Sequence, residues 1–138
     1  MSSIAAKVTA AFFDSKGFNY DMSDDGMAIT TGFALENCEG VKILIVFDDD
    51  DHSVAIRALN IVKIPDAKKD DMYTLVNELN RKFRWIKFVI DDEDNTINAE
   101  DDAIIQLDSC GEEVFECCLH FAAIVDEAYP EIMKKIFA

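Results

Sequence analysis

The chain has 138 residues, half of them hydrophobic, with a formal net charge of -15 at pH 7 and a pI of about 4.3. This composition predicts one folded domain over residues 1–138 and argues against disorder. The negative charge opposes phosphate backbones and anionic bilayers, so we expect no nucleic-acid partner and no membrane partner. No apolar run reaches the ~20 residues of a membrane span, no leader is visible, and no Cys-x-x-Cys occurs, which together predict a cytoplasmic protein.

The first predicted helix covers residues 3–16 and ends at Gly17, because glycine readily adopts the conformation that terminates a helix. Two apolar stripes follow the helical period on nearly opposite sides: Ile4, Val8, Ala11 and Phe12, and then Ala6, Ala10 and Phe13. One stripe is enough to attach a helix to a sheet, so we assign the first to the core. We expect the second stripe to contact another surface, and a second copy of the chain is one candidate.

Three strands are predicted next, over residues 27–35, 41–47 and 53–62. The first of these strands alternates large side chains on one face with small side chains on the other, and we expect a helix to pack closely on the small face. The second strand is apolar on both faces apart from Lys42, which is typical of a central strand.

The period of the hydrophobic pattern changes between residues 72 and 91. Apolar residues recur first at helical and then at strand spacing: Met72, Leu75, Val76, Leu79 and Phe83, and then Ile86, Phe88 and Ile90. This change predicts a second helix, opening at Pro65–Asp66, that runs directly into a strand at Trp85. Asn80 lies at the edge of the helical stripe, and we expect its amide to bond backbone groups near the junction.

A strand over residues 96–107 is predicted to pair with the strand that follows the junction, with a bulge or break at Asp101–Asp102. The predicted order of elements is α-βββ-α-ββ-α(-α). This order indicates an α+β domain with a mostly antiparallel, five-stranded sheet packed by helices.

The last long helix is predicted to open at Ser109-Cys-Gly-Glu112, which has the form of a capping box. Its apolar residues span roughly half its circumference, more than the ~100° that attachment to a sheet needs. We therefore expect the helix to touch the sheet and something else, with Leu119 and Ile124 as candidate contact residues. Pro130 is expected to start a short final helix, since proline suits the first helical turn.

Four segments share a largely structural character: Leu75-Val-Asn-Glu-Leu-Asn80, Trp85-Ile-Lys-Phe88, the acidic hairpin before Thr96, and Ala128-Tyr-Pro-Glu131. With the order of elements, they resemble the YbjN family of proposed bacterial sensory transduction regulators, most closely over residues 65–136. The resemblance implies the fold of type III secretion chaperones, which are acidic homodimers that hold extended partner segments. It implies a non-enzymatic, dimeric, protein-binding module, and it offers no catalytic residues to transfer. The residues that we expect to build the junction are Asn80, Trp85, Phe88, Tyr129 and Pro130.

Three clusters could carry chemistry: Asp48–His52, Asp91–Asp102, and Cys117–Cys118 with His120. Clustered carboxylates suit Ca²⁺ or Mg²⁺, but the second cluster lacks the glycine and the final glutamate of an EF-hand loop, and solvated turns explain both acidic clusters. The cysteines lie in the apolar arc of the last helix, and no second Cys/His cluster completes a zinc site. We therefore assign no catalytic residue, no cofactor and no metal ligand, and expect that the protein is not an enzyme.

The favoured hypothesis is a homodimeric, protein-binding regulator or chaperone-like module. It would bind an unknown protein partner through apolar surface on the sheet or through helix grooves. The alternative is a small-ligand or divalent-cation-binding sensor domain that uses one acidic hairpin. A third hypothesis is a thiol enzyme that uses Cys117 or Cys118.

Overall fold

The computed structural model describes residues 3–138, which form an α+β domain with one antiparallel sheet. The helices are α1 (Ile4–Ser15), α2 (Lys69–Lys82) and α3 (Cys110–Ile136). The strands are β1 (Tyr20–Met22), β2 (Ala28–Phe33), β3 (Val41–Phe47), β4 (Ser53–Lys63), β5 (Lys87–Asp91) and β6 (Thr96–Ile104). The spatial order of the strands is β1-β2-β3-β4-β6-β5, and every neighbouring pair is antiparallel.

The sheet has six strands, so the predicted number of five is wrong by one. The missed strand, β1, has only three residues, too few to show an alternating pattern. It is held in place by tertiary contacts: the rings of Tyr20 and Phe13 meet edge to face at 5.9 Å, and the Thr31 hydroxyl donates to the Asn19 carbonyl at 2.8 Å. Contacts of this kind leave no local signal in the sequence.

Both ends of α1 are closed by local hydrogen bonds. At its start, the Ser3 hydroxyl oxygen accepts from the Ala6 amide at 3.0 Å. At its end, Gly17 adopts φ +71°, and the Phe18 amide donates to the Phe13 carbonyl at 3.0 Å. This pairing is the Schellman arrangement that a glycine makes possible, and it confirms the predicted end of the helix.

The expectation that the second stripe of α1 contacts another surface is wrong. Ala6, Ala10 and Phe13 are buried in the core of the same chain, whereas Ile4 is 55% exposed. Val8 and Phe12 of the first stripe are only half-buried, where α1 approaches α3 closely. A Cβ placed on Gly111 at the start of α3 would lie 2.6 Å from the Phe12 Cβ, so glycine permits this approach.

The helices cover the face of the sheet that carries the larger side chains. In β2 the buried residues are Ile29 and Thr31, and Gly32 on the opposite side is exposed. The expectation that a helix covers the small face is therefore wrong. Large aliphatic side chains gain most from leaving water, so they point toward the helical layer.

The irregularity of the sheet lies in β4 rather than at Asp101–Asp102. The register shifts between Ala58 and Val62, where Asn60 adopts φ +57°. The Asn60 amide donates to the Asn98 side-chain oxygen at 2.7 Å, which replaces the lost ladder bond. Asparagine tolerates the left-handed conformation, so this position suits a bulge.

Helix α3 is continuous for 27 residues and contains Pro130, so the predicted short final helix does not exist as a separate element. Proline has no amide hydrogen and leaves the carbonyl four residues earlier without its helical partner. That carbonyl belongs to Asp126, and it accepts from the Asn37 side-chain amide at 2.9 Å. The Asn37 backbone amide also donates to the Asp126 carboxylate at 2.8 Å. The loop after β2 therefore replaces the bond that proline removes.

The predicted starts of α2 and α3 need correction as well. A 3₁₀ turn covers Asp66–Lys68, and α2 begins only after it. Ser109 precedes α3 but makes no side-chain cap. Instead of the expected Glu112, the neighbouring Glu113 folds back, and its carboxylate accepts from the Gln106 amide at 2.8 Å.

Candidate interaction surfaces

The junction between α2 and β5 is built around Asn80, as the sequence predicts. Its side-chain oxygen accepts from the Phe88 amide at 2.7 Å, and its side-chain nitrogen donates to the Phe88 carbonyl at 3.0 Å. A single amide thus satisfies both backbone groups of one residue on edge strand β5, in the way that a neighbouring strand would. This contact blocks part of the β5 edge against pairing with another chain.

Trp85 lies at the same junction but is 59% exposed, with φ +75°. Its ring stacks on His120 of α3, with the two ring centroids 5.4 Å apart, and the Arg84 guanidinium lies over the Trp85 ring, 5.4 Å from its centroid. A positive φ is unusual for a bulky residue, so packing against α3 holds this conformation. Trp85 therefore connects the junction to α3.

The other junction residues lie in α3. Tyr129 is half-buried against the core, and Pro130 is exposed. Because Pro130 has no amide hydrogen, the Asp126 carbonyl accepts from the Asn37 side chain instead. No hydrogen bond among the described residues joins either of them directly to Asn80 or Phe88. The junction set therefore comprises two neighbouring regions, and the resemblance alone placed them together.

The residues proposed for interaction separate into buried and exposed ones. Ala6, Ala10, Phe13 and Ile124 are buried in the chain's own core, so they offer no surface to a partner. Leu119 is 44% exposed. It belongs to a groove between α1 and α3, which we call the α1/α3 groove and which has a volume of about 510 Å³. The groove is lined by Phe12, Lys16, Glu112, Glu113, Phe115, Glu116 and Leu119.

The opposite side of the sheet has no covering helix among the described residues. Alternation along the central strands directs a set of mostly small or aliphatic side chains away from the helical layer. We call this set the open face: Ala28, Thr30, Leu44, Val46, Ala55, Arg57, Leu59 and Ile104. Leu59 is 57% exposed and Ile104 is 81% exposed. Part of the open face forms a depression of about 350 Å³ beside Leu44, Arg57 and Leu59.

Arg57 forms two ion pairs near the centre of the open face. The Arg57 guanidinium lies 2.9 Å from Asp102 and 3.9 Å from Glu100, both on β6. These three charged residues come together because β4 and β6 are neighbours in the sheet, which the order of strands along the chain does not reveal. Lys42 of β3 lies on the same side of the sheet, so the open face combines apolar side chains with two basic and two acidic ones.

Three of the four carboxylates in the acidic turn at residues 48–51 accept hydrogen bonds from groups of the same chain. The Asp51 carboxylate accepts from the Ser3 hydroxyl at 2.7 Å and from the Ala5 amide at 3.0 Å, at the start of α1. Both bonds lower the pKa of Asp51, and the bond from the Ser3 hydroxyl has the larger effect. Asp48 accepts from the Ser53 hydroxyl, and Asp50 accepts from the His52 amide at 3.0 Å. The carboxylates thus point to separate protein groups.

The second acidic turn behaves similarly. Asp92 accepts from the Tyr73 hydroxyl and lies 3.5 Å from the Lys69 ammonium, and its pKa is lowered by these contacts, by the tyrosine most of all. Asp91 accepts from the Glu93 amide at 2.9 Å. Across residues 3–138, no group of three or more His, Cys, Asp or Glu side chains is arranged to hold a metal ion.

The cysteines of α3 are poor nucleophiles. Burial raises the pKa of Cys117 to about 11 and that of Cys118 to about 12, with the nearby Asp101 adding to both. A thiol at neutral pH is then almost fully protonated, and the protonated form is unreactive. His120 lies against Trp85 and 4.0 Å from Glu116, so it is engaged on the outer side of α3.

Comparisons with known proteins identify the class to which this fold belongs. The family model of YbjN, described as "Putative bacterial sensory transduction regulator", matches residues 6–134. The chain is therefore a member of the YbjN family. It is similar in structure to the crystal structure of YbjN, a putative transcription regulator from E. coli, with a TM-score of 0.64, 13% sequence identity and 91% of each chain covered. This similarity shows the fold alone.

No curated protein matches the sequence. The family description is that of a regulator rather than an enzyme. Among the helices of residues 3–138, none has the length and hydropathy that crossing a bilayer requires.

Proposed function

We propose that this YbjN-family protein is a non-catalytic regulator that acts by binding another protein, and that it does so as a homodimer. The observation that carries the proposal is the open face, where one side of a six-stranded sheet presents aliphatic side chains to solvent. Extended apolar surface on a folded protein is typical of an interaction site.

Charge favours a second copy as the occupant of the open face. A twofold dimer places the same surface on both sides of the interface, so an unbalanced charge would repel itself. Lys42 and Arg57 on this side of the sheet are matched by Glu100 and Asp102. The apolar residues can then pack together while the ion pairs fix the relative orientation of the two copies.

A chaperone-like role is compatible with this arrangement, because a dimer formed through the sheet leaves the helices free for a partner. The resemblance to type III secretion chaperones motivates that role. A cytoplasmic location stays a prediction, supported by four cysteines that are all free thiols.

Sedimentation equilibrium at micromolar concentration tests the dimer. We expect the parent protein to sediment as a dimer and Leu59→Asp to shift it toward the monomer, because a carboxylate would be buried in an apolar contact. Ile4→Asp is the matched control, since Ile4 has a similar exposure, 55%, and lies on α1. A parent protein that sediments as a monomer would remove the proposed dimer.

The alternative, a sensor for a divalent cation or a small ligand, has a separate test. Calorimetric titration with Ca²⁺, Mg²⁺ and Zn²⁺ should give no stoichiometric heat, because three of the four carboxylates in each acidic turn accept hydrogen bonds from protein donors. A one-to-one heat that disappears in Asp50→Asn or Asp94→Asn would favour the sensor over the regulator.

A further inference from the structure

The α1/α3 groove has an apolar floor and an acidic border. Phe12, Phe115 and Leu119 supply the apolar side chains, and the rings of Phe12 and Phe115 meet edge to face at 5.6 Å. Leu119 at the end of the groove is 44% exposed although its helix is otherwise well packed. An apolar site with this exposure gains stability when another apolar group covers it.

Carboxylates dominate the border of the groove. Glu112, Glu113 and Glu116 line it from α3, and Lys16 lines it from α1. The Lys16 ammonium lies 5.5 Å from the centre of the Phe12 ring. Within residues 3–138 neither Glu112 nor Glu113 forms an ion pair, and Glu116 is paired only with His120, at 4.0 Å. The border therefore carries a net negative charge at neutral pH.

The groove continues beyond Phe12 toward the start of α3. A second depression of about 260 Å³ adjoins it and is lined by Val8, Ala11, Phe12, Asp108, Ser109, Gly111 and Glu112. From Gly111 to Leu119, the groove follows α3 for about 12 Å at 1.5 Å per residue. This length accommodates about two turns of a bound helix, whose apolar side would contact the groove as in helix-in-groove recognition.

The charges select among possible occupants. A second copy would bring its own Glu112 and Glu116 against this border, and the like charges would oppose the contact. Nucleic acid is opposed by the same border and by the net charge of -15. A segment with apolar residues on one side and Lys or Arg on the other satisfies both the floor and the border.

We propose that the α1/α3 groove binds a basic amphipathic helix of another protein. The apolar side of the helix covers Phe12, Phe115 and Leu119, and its lysines or arginines pair with Glu112 and Glu116. This inference deepens the proposed function and rests on it for the statement that the protein binds a protein. The groove lies in the helical layer, apart from the open face, so binding and self-association can be measured separately.

The probe is a fluorescein-labelled, 18-residue helical peptide of leucine and lysine, with leucine on one side of the helix and lysine on the other. Its matched partner has glutamate in place of every lysine. Fluorescence polarisation with the full chain at physiological ionic strength should show saturable binding of the lysine peptide and none of the glutamate peptide. No saturable binding of the lysine peptide, or equal binding of both, would overturn the proposal.

Variants separate the groove from the general acidity of the chain. Glu116→Lys should weaken binding by about tenfold, because the change replaces an attraction at the border with a repulsion. Glu127→Lys changes the net charge by the same amount on the same helix at an exposed position that does not line the groove, and it should weaken binding much less. Equal weakening by the two variants would show a nonspecific effect of charge and overturn the proposal.

The apolar floor is tested by Leu119→Ser, which should weaken binding by about tenfold through lost apolar contact. Ile4→Ser is the control at another exposed aliphatic residue of the helical layer and should leave binding unchanged. Leu119→Ser should also sediment like the parent protein. If the peptide fails to bind while the parent protein sediments as a dimer, the proposed binding site in the groove is wrong and the proposed dimer stands. If the peptide binds while the parent protein sediments as a monomer, the proposed dimer is wrong and the binding site in the groove stands.

Discussion

The two faces of the sheet are made by the same strands but have opposite roles. On the covered face, Ile43, Ile45 and Ile56 are fully buried beneath the helices. On the open face, their immediate neighbours Leu44 and Arg57 remain partly exposed. Since side chains alternate along a strand, each strand contributes to the stability of the domain with one face and offers a surface with the other. Changes on the two faces should therefore have different consequences.

The largest effect is expected on the covered face, at Phe13. Phe13→Ala should lower the free energy of unfolding by about 3–5 kcal/mol, because the ring is buried against Phe18, Tyr20 and Phe115. Urea denaturation followed by circular dichroism measures this loss. Phe137→Ala, at a residue that is 79% exposed, is the control and should have little effect. If Phe13→Ala were as stable as the parent protein and lost only self-association, Phe13 would instead belong to a surface that contacts a second copy.

A smaller effect is expected at the edge of the sheet, at Asn80. Asn80→Ala removes two hydrogen bonds to Phe88 and should lower the free energy of unfolding by about 2 kcal/mol, at ~1 kcal/mol per bond. Asn77→Ala makes the same change at an exposed position of α2. Equal urea midpoints for the two variants would show that the amide contributes nothing to the junction. Because the variant exposes the β5 edge, we also expect it to aggregate more readily.

The acid side of the stability curve tests the Asp51 contact at the start of α1. Its pKa is lower in the folded protein than the ordinary value of 3.8, so ionised Asp51 stabilises the fold above that value. The stabilisation is lost as the pH falls through the folded-state pKa. Asp51→Asn removes this titration and should reduce the loss of stability on acidification. The pKa values of Asp25 and Asp92 are lowered as well, so both proteins lose stability in acid. The quantity that reports on Asp51 is therefore the difference between the melting temperatures of parent and variant at each pH.

The smallest effect on the stability of the isolated chain is expected on the open face. Leu59→Asp should change the free energy of unfolding of the monomer by less than about 0.5 kcal/mol, because the side chain is already 57% exposed. Urea denaturation at low protein concentration checks this value. A large loss in the monomer would mean that Leu59 belongs to the core, and the two faces would then not divide stability from interaction.

The sequence predicts elements well where the decisive contacts are local. The change of period at residues 72–91 places both α2 and β5, and Asn80 contacts a residue only eight positions away. The end of α1 at Gly17 is local in the same way. Each of these features depends on the chemistry of a few neighbouring residues, and the family resemblance agrees with them.

The missed features all depend on distant contacts. Both stripes of α1 are apolar, so which of them is fully buried depends on contacts with other elements, such as those of Phe13 with Tyr20 and with Phe115, about a hundred positions away. Pro130 remains within a helix because Asn37, from the loop after β2, bonds the free carbonyl. The sequence predicts an apolar surface on the sheet or a groove between helices but does not identify the residues that form them, since neighbouring strands and helices assemble the open face and the α1/α3 groove from separate parts of the chain.

The central claim is that the open face, rather than the buried stripe of α1, joins two copies of this protein. Methyl NMR spectra recorded from low micromolar to near-millimolar concentration test it directly. We predict concentration-dependent shifts for the methyl groups of Leu44, Leu59 and Ile104, and unchanged positions for those of Ile43 and Ile4. Spectra that do not depend on concentration, or shifts confined to methyl groups of the helical layer, would contradict the claim.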